Sequence, residues 1–279
     1  MRYGRKSFLE RLRNEIEEGK PLVMTGAGSG ICAKFIERGG VDILGVYNTG
    51  YFRMQGYGSL AGMLPMADAN GMVYAMGKGE VLPQVREVPV IAGVNGVDVL
   101  RDMRVFLEDC KRIGFSGVHN FPTVAWFDGE FRKTLEKTGL GYRHEIDMLN
   151  IARELDMLTI GYAFNERDTT TLMEESMPDV FIFHSGITRG GSTGYEEGSS
   201  LDEMARRSTV HFDIARKIKP DVILFAHGSS LVEPEDAQRI VETTRCHGVQ
   251  LGSSIERMAI EKPLEDRTRA FKEIRFPRT

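Results

Sequence analysis

The chain has 279 residues, 41% of them hydrophobic and 27% charged, with a net charge of −4; this is the balance of an ordinary globular protein. Both signs of charge are interspersed, so nothing favours a nucleic acid or an anionic membrane as partner. The N-terminus is charged throughout, no run reaches the roughly eighteen apolar residues of a spanning helix, and Cys32, Cys110 and Cys246 lie far apart without CxxC spacing. These features predict a cytoplasmic protein with reduced thiols.

Phe8, Leu9, Leu12 and Ile16 have helical spacing and predict an amphipathic leader ending at Gly19. Short apolar runs rich in Val, Ile and Leu then recur at 22–25, 41–46, 89–94, 117–120, 158–162, 180–183, 222–226 and 248–251, as buried parallel strands do. Residues 47–70, between the second run and an apolar stretch near 73–82, mix Gly, Tyr, Phe, Arg and Met. They predict a long loop forming a wall or lid over a binding site. The segments between later runs are helical: Leu100, Met103, Phe106, Leu107, Cys110 and Ile113 line one face, and Ser200 with Glu203 opens another helix. Glu233-Pro234 marks a helix start, and residues 140–155 predict an extra helix. Eight strand–helix alternations without a composition break argue for one (β/α)8 TIM barrel over residues 1–279, with a doubly wound sheet as the alternative. The tail over 264–276 would pack on the barrel or reach a neighbouring subunit, which predicts a homo-oligomer.

Barrel chemistry sits at the carboxyl ends of the strands. There the chain places Gly26, Gly28 and Ser29, then Tyr47 and Asn48, Asn95, His119-Asn120, Tyr162, His184, His227-Gly228-Ser229, and Gly252-Ser253-Ser254. GAGSG at 26–30 suits either an anion at a helix N-terminus or a tight turn capped by Ser29. It is not GxGxxG, so no nucleotide cofactor is expected. HGSS at 227–230 and GSS at 252–254 stand where barrels of this class bind phosphate. His184 and His227 are read as proton carriers. Alternation admits only one of His119 and Asn120 to the barrel interior, and Asn120 is the residue assigned to it, orienting a carbonyl or enolate oxygen together with Asn48 and Asn95. Arg257 would reach a carboxylate or phosphate, or pair with Glu256; Arg53 would clamp an acid or lie on the surface. His211 falls on an apolar stripe and reads as a core histidine. Carboxylates are scarce at the strand ends; Asp68 and Asp128 read as cap or turn residues. No lysine ends a strand, against a Schiff-base aldolase.

Residues 26–30 (GAGSG), 47–54 (YNTGYFRM), 58–62 (GSLAG), 65–70 (PMADAN), 114–124 (GFSGVHNFPTV), 186–194 (GITRGGSTG), 233–237 (EPEDA) and 252–257 (GSSIER) together resemble one family, the phosphoenolpyruvate hydrolase-like proteins, also described as phosphonopyruvate hydrolase-like. The resemblance implies a TIM barrel of the phosphoenolpyruvate/pyruvate type, a hydrolase or lyase acting on a small phosphorylated or 2-oxo acid, and Mg²⁺ as cofactor. The same region is similar to part of a plant protein that restrains viral RNA replication, which implies the alternative of a barrel that binds a small ligand without turnover.

Overall fold

The computed structural model describes residues 4–275. Eight parallel strands close into a barrel in chain order, the first pairing with the eighth. They are β1 (Leu22–Gly26), β2 (Ile43–Val46), β3 (Val90–Gly93), β4 (Gly117–His119), β5 (Leu158–Ala163), β6 (Val180–His184), β7 (Ile223–His227) and β8 (Gly248–Leu251). Each matches one of the apolar runs. The strands are buried on both faces because helices cover the outside, which is why they read as continuous apolar runs rather than alternating ones.

Alternate side chains point inward, as the pleat requires. Leu22, Met24, Ile43, Ile91, Leu158, Ile160, Val180, Ile182, Ile223 and Phe225 fill the interior as one buried cluster. Above them the inward positions turn polar or aromatic: Tyr47, His119, Tyr162, His184, His227 and Gln250. The ladder sets three of these level with one another, since His184 pairs with His227 and His227 with Gln250. Tyr47 needs unusual room. A Cβ on Gly45 would lie 2.3 Å from its ring, and one on Gly93 2.4 Å from it. Glycines on β2 and β3 therefore let one aromatic ring occupy the space of several side chains.

The leader forms a helix, Arg5–Glu17, burying Phe8 and Leu12. Side-chain caps start several helices: Ser29 accepts from Cys32 and Ser200 from Glu203 where expected, Asn165 accepts from Asp168, and Glu233 and Asp236 form a reciprocal capping box around Pro234. Between β4 and β5 lie two helices, Gly129–Lys137 and Arg143–Glu154. The stretch 47–70, expected to be a loop, is mostly helical. Asn48–Met54 is an α-helix, Ser59–Met63 a 3-10 turn, and Asp68 caps the next helix, Ala69–Met76. Its glycines and aromatics hid the helical spacing; the segment is held by side chains reaching inward, Asn48 Nδ2 donating to the Gly62 carbonyl at 2.7 Å. The tail forms the helix Met258–Lys272, which buries none of its residues; residue 276 lies outside the described residues. Among the described residues no helix is long and apolar enough to cross a membrane.

If Gly45 serves only to admit the Tyr47 ring, Gly45→Ala should cost about 1–3 kcal/mol by overpacking and far less in a Tyr47→Ala background. Urea unfolding of the double-mutant cycle reads this coupling; equal costs in both backgrounds would show that the ring does not set the glycine.

Candidate active site

The pocket opens at the carboxyl end of the barrel, enclosing about 590 Å³ including the part open to solvent. On the β8 and β1 side it is lined by Arg53, Ser59, Gln250, Gly252, Ser253 and His227. Arg53 comes from the helix after β2 and is only 6% exposed. Its Nε donates to Glu256 Oε2 at 2.7 Å, Nη2 also bonds that oxygen, and Nη1 donates to Ser59 Oγ at 3.1 Å. Ser59 Oγ in turn lies 3.4 Å from Ser253 Oγ. Across the mouth, the loop after β4 brings Phe121 and Trp126 to the wall; Leu60, Met63 and Ile187 complete it.

The two pocket histidines have different tautomers, set by their neighbours. His227 Nδ1 lies 2.7 Å from the Gln250 carbonyl and must donate to it, which leaves Nε2 with the lone pair. His184 Nδ1 accepts from the Gly186 amide at 3.1 Å, so its Nε2 carries the proton. The rings sit edge to face, 4.3 Å between centroids, and His184 stacks on Phe164 and meets the edge of Trp126. Burial pushes His227 down to about 4, with Arg53 adding to the effect and the bond to Gln250 opposing it. Burial likewise holds His184 well below the usual imidazole range, His227 and His119 adding to it. The pair is therefore neutral at pH 7, with one acceptor and one donor.

Beside them runs a hydrogen-bonded chain. Tyr162 donates to Gln250 Oε1, Gln250 Nε2 donates to the Tyr47 hydroxyl at 3.2 Å, and that hydroxyl faces His119 Nδ1 at 2.8 Å. Having accepted from Gln250, Tyr47 donates to His119. Tyr47 thus stands at the pocket as expected.

Several expected ligand-binding groups are elsewhere. His119, not Asn120, is the inward residue of β4. Asn120 faces the helix layer, giving Nδ2 to Glu145 at 2.7 Å and accepting from the Tyr162 amide at 2.6 Å. The alternation was read one residue out of frame because β4 stops at His119. Gly28 lies against helix Asn48–Met54, where a Cβ would sit 2.2 Å from the Gly50 carbonyl oxygen. Ser29 caps its helix, so GAGSG leaves only Gly26 at the pocket. Gly228 and Ser229 have positive φ, 92° and 50°; the Ser229 amide donates to the Gly186 carbonyl and its hydroxyl to the Ser199 carbonyl. They fasten the loop after β6 rather than presenting donors to an anion. Ser254 is not on the pocket wall. Arg257 bonds Glu261 at 2.7 Å and the Gly190 carbonyl at 3.0 Å, not Glu256. Asn48 and Asn95 line a separate apolar groove with Asp98 and Arg101. Asp68 caps its helix and pairs with Arg101. His211 is the expected core histidine, its Nδ1 2.7 Å from Thr169 Oγ1.

Mg²⁺ needs an octahedral set of oxygen ligands. Among the described residues no group of three or more His, Cys, Asp or Glu is placed to hold a metal ion, and Glu256 at the pocket's edge already binds Arg53 through Oε2. Glu256 Oε1 is buried without a partner, so among the described residues the site offers a single carboxylate oxygen and no carboxylate cluster for Mg²⁺.

Arg53, Gln250 and the aromatic wall carried little sequence signal. Gln250 sits inside a strand rather than at its end, and Arg53 belongs to a short helix whose glycine and aromatic residues mask its spacing.

The chain is 44% identical over 271 residues to "ToMV resistance protein Tm-1(GCR237)" of Solanum lycopersicum, an alignment covering 97% of this chain and 36% of that protein. It thus spans about a third of the length of that relative. Among solved structures it is similar to a 2,3-dimethylmalate lyase described as a PEP mutase/isocitrate lyase superfamily member, with TM-score 0.62 at 13% identity, covering 96% of this chain and 88% of that one. It is also similar to a phosphonopyruvate hydrolase in complex with oxalate and Mg²⁺, with TM-score 0.59 at 13% identity, covering 95% and 87%. These two likenesses show a shared TIM-barrel fold.

Neutral buried imidazoles make folding pH-dependent. Between about 6.5 and 4 the unfolded chain binds protons that His227 and His211, both pushed to about 4 by burial, refuse when folded; His119 and His184 act in the same direction. Stability from these groups is lost as pH falls through that window. Glu145, raised by burial to about 7, opposes the trend. Urea unfolding from pH 7 to 5 should therefore show a steeper acid loss than the His227→Gln variant does; identical slopes would contradict the assignment of His227 as buried and neutral.

The family model described as phosphoenolpyruvate hydrolase-like matches residues 7–274, and the chain belongs to that family.

Proposed function

We propose that the barrel is a hydrolase or lyase acting on a small phosphorylated or 2-oxo acid. One observation carries the reading: a buried arginine with two serine hydroxyls shares a pocket with two neutral histidines of complementary tautomer. Arg53 Nη1, Ser59 and Ser253 would hold the acid group, giving charge-assisted bonds to a carboxylate. His227 Nε2 would accept a proton, and His184 Nε2–H would donate to the oxygen on which charge develops. A bound carboxylate would raise His227 from its depressed value towards the working range of a base. Family membership and the solved neighbours support chemistry of this class. In the same reading the protein is a homo-oligomer, supported by the exposed Leu264, Phe271 and Ile274 at the tail.

A second reading, binding without turnover, is supported by the likeness to the ToMV resistance protein Tm-1(GCR237), whose name describes resistance rather than a reaction. Oxaloacetate, phosphonopyruvate and phosphoenolpyruvate, assayed with and without Mg²⁺, separate the two. Catalysis predicts product formation that falls about 10²–10⁴-fold in His227→Gln, with thermal unfolding of the variant retained. Saturable binding with no product would establish the second reading, and unchanged turnover in the variant would remove His227 from the mechanism.

A further inference from the structure

The charge and the apolar content of the pocket are unequal partners. Among its described lining residues Arg53 is the one cationic side chain, and Glu256 already neutralises it. The histidines add no positive charge, since burial keeps them neutral. A phosphoryl group brings about −1.5 to −2 beyond the carboxylate, and burying such charge without a partner is strongly unfavourable. By contrast, β4 stands opposite β8 in the closed barrel. The loop after β4 therefore sets Phe121 and Trp126 across the mouth from Arg53 and Ser253, and Leu60, Met63 and Ile187 add to the apolar lining. A ligand whose acid end rests on Arg53 must point its other end at apolar side chains.

We infer that the ligand is a singly charged 2-oxo acid with an apolar arm, its carboxylate at Arg53 and its arm against Phe121, Trp126 and Ile187. This rests on the reading above that the pocket holds a small acid, and it names which kind. Without an arm, an acid such as pyruvate leaves the apolar wall uncovered. A phosphonate in the arm's place meets a surface with no cation to receive it.

Trp126 is the chain's only tryptophan and lies on this wall, so its fluorescence reports occupancy. Titration with 4-methyl-2-oxopentanoate, pyruvate and phosphonopyruvate should show the first binding about tenfold or more tighter than pyruvate, and phosphonopyruvate weakest. Leu60→Ala and Ile187→Ala, both at positions that are not fully buried, should each cut the ratio of the first two affinities severalfold. Phosphonopyruvate or pyruvate binding as tightly as 4-methyl-2-oxopentanoate overturns the apolar arm and leaves the acid-binding reading standing. No response to any of the three, by fluorescence and by calorimetry, overturns both.

Discussion

The ion pair of Arg53 and Glu256 is the interaction on which the mouth of the barrel depends. Arg53 stands in the helix after β2 and Glu256 in the turn after β8, and both meet over the end of β1. The glycines around them exist for this contact. A Cβ on Gly26 would lie 3.0 Å from Glu256 Oε2 and 3.2 Å from Arg53 Nη2, and one on Gly50 3.0 Å from Glu256 Oε1. Gly28 lets the backbone of that helix approach. GAGSG thus closes the barrel seam around a salt bridge, and its Ala27 amide donates to the Gly45 carbonyl. A buried pair contributes little net stability against its own desolvation, but losing one partner strands a charge at a cost of about 3–5 kcal/mol. Its value here is positional: it fixes one guanidinium edge at Ser59 and the pocket.

The second constraint is the change of character along the barrel interior. Aliphatic layers give way to Tyr47, His119, Tyr162, His184, His227 and Gln250, joined to one another and to backbone by hydrogen bonds that leave His119 Nε2 buried without a partner. Hydrogen-bonded networks of this kind are rigid, so the tautomers of the two pocket histidines are decided before any ligand arrives. Dry surroundings keep them neutral, while the Gln250 carbonyl and the Gly186 amide decide which nitrogen holds the proton.

Much of the architecture was legible in the sequence because a parallel barrel strand, covered on both faces, writes itself as an uninterrupted apolar run. Placing His184, His227 and Tyr47 at the pocket followed from the strand ends alone. What was hidden depends on tertiary partners. His119 and Asn120 differ by one position, and a three-residue strand leaves too little alternation to fix the frame. Ser229 looks like a ligand donor until the carbonyl of Ser199 is seen beside it. Asn48 and Asn95 lie just past their strands, yet Asn48 is tied to the Gly62 carbonyl and Asn95 to Asn70, which sets both on a neighbouring groove. Gln250 gave no signal because a polar residue inside a strand is read as an edge or a solvent face, whereas here it faces the barrel axis.

The proposed binding mode holds the acid end of the ligand at the Arg53 edge, with the rest of the molecule facing the aromatic wall. A crystal structure of the protein with 4-methyl-2-oxopentanoate tests it most directly. The carboxylate is expected within hydrogen-bond reach of Arg53 Nη1 and the Ser59 and Ser253 hydroxyls, with the arm beside Trp126. A carboxylate found instead at Arg101 in the neighbouring groove, with the Arg53 pocket vacant, would contradict it.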